Sequence, residues 1–195
     1  QAKFNSGDWS GQLLSFPVAM DGTLATTEEW DAGRVIPAPD SRVIITVNSN
    51  STAAKFRWTG AGTILDATRK SQLRLTDPST PNDWGQYRLN YLRGDGVRED
   101  RNNNIAPVFR NRPVLPYRNV LGDIVSSAPV FVGKPAFLYP DTLETAAYSA
   151  YRTLRANREK IVYAGANDGM LHAFNATNGV ERMGFIPGQI FRNLP

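Results

Sequence analysis

The chain has 195 residues, 41% hydrophobic and 21% charged, a composition ordinary for a folded domain with a core of its own. It contains no cysteine, which excludes disulfides, cysteine nucleophiles and thiolate metal sites. The formal net charge is +4, and no apolar run approaches the roughly 20 residues of a membrane-spanning helix.

In chain order, Phe4–Phe16 (FNSGDWSGQLLSF) reads as a first β-hairpin, with Trp9 at its turn where a large ring can cap the end of a sheet. Thr26-Thr27-Glu28-Glu29-Trp30 opens like a short helix, with a threonine N-cap and acids in the first turn. Pro37 and Pro39 then interrupt. Val43–Val47 is β-branched throughout and predicts a buried strand, and Ala54–Thr59 predicts a partner carrying Phe56 and Trp58 on one face. Thr68–Asp83 is ambiguous: Leu73 and Leu75 suit a strand, Pro78 and Pro81 a loop. Tyr87–Leu92 reads as a strand or one helical turn. From Arg93 to Arg118, six arginines face three acids among Asn102–Asn104 and three prolines, which predicts an irregular, solvated loop.

Val120–Val125 and Pro129–Val132 read as strand pieces around Ser126-Ser127, which pin the entry to the second. Asp141–Arg158 carries the helical pattern: Asp141 as cap, Glu144 completing a capping box, and Leu143, Ala147, Tyr151 and Leu154 as one stripe. Residues 161–174, IVYAGANDGMLHAF, form the strongest signal: two apolar runs around Asn167-Asp168-Gly169, the turn chemistry of a tight hairpin. Asn175–Gly179 is a turn and Val180–Ile186 a further strand.

Placing Gly11 over Gly169 sets Gln12–Phe16 on Met170–Phe174, so the chain reads as a repetitive all-β protein with one inserted helix. A strand–turn–strand–turn–strand run is most of a propeller blade, and a blade must bury its faces against neighbours. The two hairpins are 158 residues apart. At about 40–50 residues per blade this leaves room for three or so, fewer than closed propellers need. The expectation is a single unit over 1–195, a partial β-propeller within a larger one, with the irregular loop at 93–118 and the helical insertion at about 141–158. The start, QAKFNSGDW, shows no signal peptide, so the protein is either cytosolic or a mature or excised piece.

GDWSGQLL, RVIITVN, YLRGD, VLGDIVSSAPVFVGKP and VYAGANDGMLHAF, in that order, resemble the C-terminal β-propeller domain of the PilC/PilY family of type IV pilus proteins of Gram-negative bacteria. The resemblance spans residue 7 to about residue 188. It implies quinoprotein-like blades and an exported protein at the pilus tip or cell surface. The implied role is non-enzymatic: promoting pilus assembly, twitching motility and attachment to surfaces or host cells. The implied partners are the rest of the propeller, minor pilins and a host receptor, with neither nucleic acid nor a membrane span. The family's calcium loop is expected outside this segment; no D-x-[DN]-x-[DN]-G pattern occurs here, so no cofactor or metal is assigned.

Arg93-Gly94-Asp95 is the tripeptide that integrin-type receptors read on an exposed loop, and the resemblance places it where some family members use it. The alternative is a turn with local ion pairs. Asp95, Glu99, Asp100 and Asn102–Asn104 are oxygen-rich, but Arg98 and Arg101 would repel a cation. His172, the only histidine, has no G-x-S-x-G serine elbow and reads as structural. Trp9, Gly11, Asn167, Asp168 and Gly169 read as blade-motif and turn residues, as does Asp123. Gly60-Ala61-Gly62 lacks the third glycine of a dinucleotide loop.

Two other functions fit the hairpins. One is a fragment of a quinoprotein-like dehydrogenase, but the tryptophans fall at spacings of 21, 28 and 26, too short for one per blade. The other is a glycan-binding propeller using the arginine-rich loop.

Overall fold

A computed structural model describes residues 1–74, 84–102 and 105–195. Two sheets carry the fold. The first is three-stranded, in the order β1 (Ala2–Asn5), β2 (Ser10–Ser15), β3 (Trp30–Asp31), antiparallel throughout. The second has six strands in the order β5 (Ala53–Lys55), β4 (Ile44–Val47), β9 (Glu181–Ile186), β8 (Met170–Asn175), β7 (Ile161–Ala166), β6 (Val130–Val132). Within it β6 to β9 form an antiparallel four-stranded meander, the architecture of one propeller blade. The β4–β5 hairpin extends that meander, β4 lying parallel to β9. The chain is a partial propeller: mostly sheet, with few helices.

Both predicted hairpins form, but their glycines are not equivalent. The closing pairs are Asn5–Ser10 and Ala166–Met170, which sets Ser10, not Gln12, opposite Met170 in the repeat. Gly169 sits in the turn at φ +85°, a conformation that disfavours a side chain. In the first hairpin Trp9 holds that place, at φ +53°. Gly11 lies inside β2 for another reason: a Cβ there would fall 2.2 Å from the Gly122 carbonyl oxygen.

Among the described residues three short helices form, α1 (Ala67–Leu73), α2 (Trp84–Leu92) and α3 (Tyr148–Leu154), followed by a 3₁₀ turn at Gly188–Asn193, so Tyr87–Leu92 is helical rather than a strand. In α1, Asp66 accepts from the Arg69 backbone N–H as N-cap, and Leu73 is buried. Leu75, Pro78 and Pro81 lie outside the described residues. The helix expected at about 141–158 is confined to Tyr148–Leu154. Asp141 still holds it, accepting from the Ser149 N–H (2.8 Å) and hydroxyl (2.7 Å). Glu144 does not complete a box. Leu143 and Leu154 are exposed, so no core burial supports the preceding turns, and short helices without it are marginal. Thr26–Glu29 is not helical either, because Trp30 is drawn into the first sheet, its indole N–H donating to the Ala176 carbonyl (3.1 Å). Val120–Val125 makes no regular strand, only a bridge between Gly122 and Ser10.

Two apolar clusters form the core. One gathers Ile44, Phe56, Leu65, Leu73, Leu89, Met170, Ile186 and Phe191 beneath the helices. The other gathers Leu13, Trp30, Leu121, Ile124, Ala164 and Phe174 between the sheets. Met170, His172 and Phe174 follow one another on one face of β8, so His172 sits at the seam between the clusters.

Candidate functional site

The seam is charged. His172 is fully buried, its Nδ1 2.7 Å from Glu181 Oε1 and its Nε2 3.1 Å from Asp168 Oδ2. Arg42, at the foot of β4, donates from Nε (2.7 Å) and Nη2 (2.8 Å) to the two oxygens of Glu181. This is the bidentate geometry that makes arginine the preferred cation for a buried carboxylate. Its Nη1 donates to the Leu92 and Arg93 carbonyls. Both imidazole nitrogens face ionised carboxylates, which can only accept, so His172 is an imidazolium.

Burial alone would pull the His172 imidazole down, but Asp168 and Glu181 outweigh it and hold it up at about 9. Burial would push Glu181 up; hydrogen bonds from Arg42 and His172 prevail and hold it at about 2. Asp168 lies below the usual carboxylate range because His172 overcomes its desolvation. The sign of the pH dependence follows. The stabilisation from His172 is complete below its ordinary value near 6.5 and is lost as pH rises through about 9. That from Glu181 is complete above about 4.5 and is lost as pH falls through about 2. Thermal melts across pH are expected to show a stability plateau between about 4.5 and 6.5, falling on both sides. In His172→Gln the alkaline fall should disappear.

Beside this network a backbone segment ties the two hairpins together. Gly11 N–H donates to the Leu121 carbonyl (3.2 Å) and Asn167 N–H to the Asp123 carbonyl (2.9 Å). Asn119 donates from Nδ2 to the Gly11 carbonyl (2.8 Å), and Gly122 N–H donates to Asp168 Oδ2 (3.3 Å). Asn167 Nδ2 donates to Asp123 Oδ2 at 2.5 Å. Residues 119–124 thus serve as a strap between β2 and the β7–β8 turn. The strap runs so close that a Cβ on Gly122 would lie 2.5 Å from the Asp168 nitrogen. A polar triad flanks it: Tyr117 donates its hydroxyl to Asp31, and Gln12 donates to Asp31 (3.0 Å). Burial and the Asp31 hydrogen bond push Tyr117 up to about 12.

The strap and the two hairpin tips enclose a cavity of about 230 Å³. Trp9, Asn167 and Asp168, assigned from the sequence as turn residues, line it together with Asp123 and Gly122 from the strap and Arg110 and Arg112 from the arginine-rich segment. Gly11 and His172 lie just behind the wall.

The arginine-rich segment exposes much of its length, but Arg93, Glu99 and Arg112 are buried within it. Arg93 is buried, and its guanidinium donates to the Phe56 (3.1 Å), Pro39 (2.6 Å) and Arg42 (2.9 Å) carbonyls. Desolvation first, then the neighbouring Arg57 and Arg42, bring it down to about 10. Gly94 turns the chain at φ +107°, and Asp95 accepts from the Val97 N–H (2.8 Å). With its arginine inside, the tripeptide does not present the paired charges a receptor would need. Glu99 is equally buried and is met by Arg101 (2.8 Å), Arg112 (3.3 Å) and Arg118 (3.5 Å), so its oxygens face guanidinium groups rather than a metal ion. Asn103 and Asn104 lie outside the described residues. Arg42 and Glu181 were not singled out from the sequence. Their signal was a charged residue at the very start of each of two strands, RVIITV and ERMGFI.

A family model described as the PilY1 beta-propeller domain matches residues 121–194. A PilY1 homolog of Xylella fastidiosa, named a type IV pilus biogenesis factor, is 38% identical over 192 residues, 96% of this chain and 13% of that protein. The type IV pilus biogenesis factor PilY1 of Pseudomonas aeruginosa is 32% identical over 206 residues, all of this chain and 16% of that protein. The chain therefore spans between an eighth and a sixth of the length of these relatives. No solved structure matches it significantly.

Proposed function

The chain belongs to the PilY1 β-propeller family, and from that premise we propose that it is a non-enzymatic segment of a type IV pilus biogenesis factor. It acts through its surfaces at the pilus tip or outer cell surface, after export, and promotes pilus assembly, twitching motility and attachment. Its partners are the remaining blades of its own propeller and minor pilins. The observation that carries this reading is the 38% identity to a pilus biogenesis factor across 96% of the chain. The physical character of the site agrees. The buried charges at the seam are consumed by one another: each carboxylate of the Arg42–Glu181–His172–Asp168 chain already faces a cation. Such a network ties the foot of β4 to β8 and β9 within one sheet rather than awaiting a substrate, and a rigid sheet is what a platform for other subunits requires.

The test is a chromosomal deletion of the parent gene in the source bacterium, complemented by the full-length gene or by one lacking residues 1–195. Loss of surface pili that only the full-length gene restores is expected. Normal piliation and normal attachment in the deletion strain would overturn the proposal.

A further inference from the structure

The cavity between the hairpin tips carries polar groups that the buried charge network does not use. Trp9 is 60% exposed at its mouth, held edge-on to Phe4 at 5.7 Å in a left-handed backbone conformation, φ +53°, that disfavours a bulky residue. Among the described residues its indole N–H meets no acceptor. Arg110 fixes the tip by donating to the Asp8 (2.6 Å) and Trp9 (3.2 Å) carbonyls, and its Nε meets no acceptor among the described residues. Asp123 accepts from Asn167 with Oδ2 only. Its other oxygen and the Asn167 side-chain oxygen have no donor among the described residues. The cleft thus offers an indole face, two unused donors (one of them the indole N–H) and two unused acceptors.

Charge narrows the occupant. Arg110 and Arg112 balance Asp123 and Asp168, so the lining is neutral on balance and draws neither an anion nor a cation. The volume, about 230 Å³, falls below the roughly 300–1,000 Å³ of drug-sized sites and suits a single ring. An apolar ring face to stack on the indole, with adjacent hydroxyls that both donate and accept, meets all of these demands.

We infer that the cleft formed by Trp9, Arg110, Asp123 and Asn167 binds a neutral hexopyranose, the terminal sugar of a surface glycan. The ring lies on Trp9 and presents vicinal hydroxyls to Asp123 and Asn167. This goes beyond the pilus reading and stands whether or not the chain takes part in assembly.

The experiment is a titration of the chain with methyl glycosides of glucose, galactose, mannose and N-acetylglucosamine, and with N-acetylneuraminic acid. The Asn167 and Asp168 backbone amides at the cavity wall report binding in every variant, and in the wild type the experiment also follows the Trp9 indole N–H by heteronuclear NMR, assigned by its loss in Trp9→Phe. At least one neutral glycoside should shift that resonance saturably. Its affinity should fall about tenfold in Trp9→Ala, partly recover in Trp9→Phe, and fall in Asp123→Asn. Trp9 is exposed, so its variants should melt with the wild type and keep the comparison valid. No shift with any neutral glycoside, a response to the acidic sugar alone, or binding indifferent to Trp9→Ala would overturn the assignment.

Discussion

Arg42→Met is expected to lower the stability of the chain by about 3–5 kcal/mol, the largest loss of any single substitution outside the apolar core. The reason lies in what is left behind. Glu181 keeps its charge in a site with 1% side-chain exposure but loses both guanidinium bonds, and the Leu92 and Arg93 carbonyls lose a shared donor. Arg42→Lys should recover only part of the loss, since a single ammonium cannot span both carboxylate oxygens while reaching two carbonyls. Denaturant unfolding of the three proteins checks the order. A loss below 1 kcal/mol for Arg42→Met would mean that Glu181 is solvated or protonated rather than paired.

Gly11→Ala is expected to cost about 3 kcal/mol, at the upper end for overpacking, because the obstruction is backbone and not a movable side chain. The added methyl would stand 2.2 Å from the Gly122 oxygen and 3.2 Å from the Asp123 Cα, so β2 and the strap must part. Parting them breaks the Gly11–Leu121 and Asn119–Gly11 bonds together. Gly22→Ala is the control: that glycine has open space around it and is strained only by its φ of +86°. Equal melting temperatures for wild type and Gly11→Ala would show that the strap does not bear on β2.

The sequence was legible where local chemistry and tertiary demand agreed. The β7–β8 hairpin is one such place: apolar runs, an Asp-Gly turn and the paired registers all point one way. The frame of the first hairpin was also readable, but the role of Gly11 was not. A glycine required by a backbone 111 residues away looks the same in sequence as one required by a turn. The arginine-rich segment misled because composition says nothing about direction. Arg93 and Arg112 turn inward and satisfy backbone carbonyls that irregular structure leaves unpaired, which is how single residues of a largely exposed loop can be buried. The sequence places His172 in its strand, yet it does not show its partners. Asp168 lies one helical turn's count away on the same hairpin, while Glu181 and Arg42 arrive from other strands, the latter across 130 residues of chain. The α3 stripe failed for the opposite reason: its periodicity is real, but nothing among the described residues covers Leu143 or Leu154.

The claim on which the rest depends is that residues 119–124 lock the two hairpins into one cooperative unit of a propeller. Native-state hydrogen exchange of the Gly11 and Asn167 amides tests it most directly, since both donate into the strap and neither is paired within its own hairpin. Both amides should exchange only with global unfolding, as slowly as the β8 amides. Exchange of the Gly11 amide at the rate of an open loop, while β8 stays protected, would contradict it.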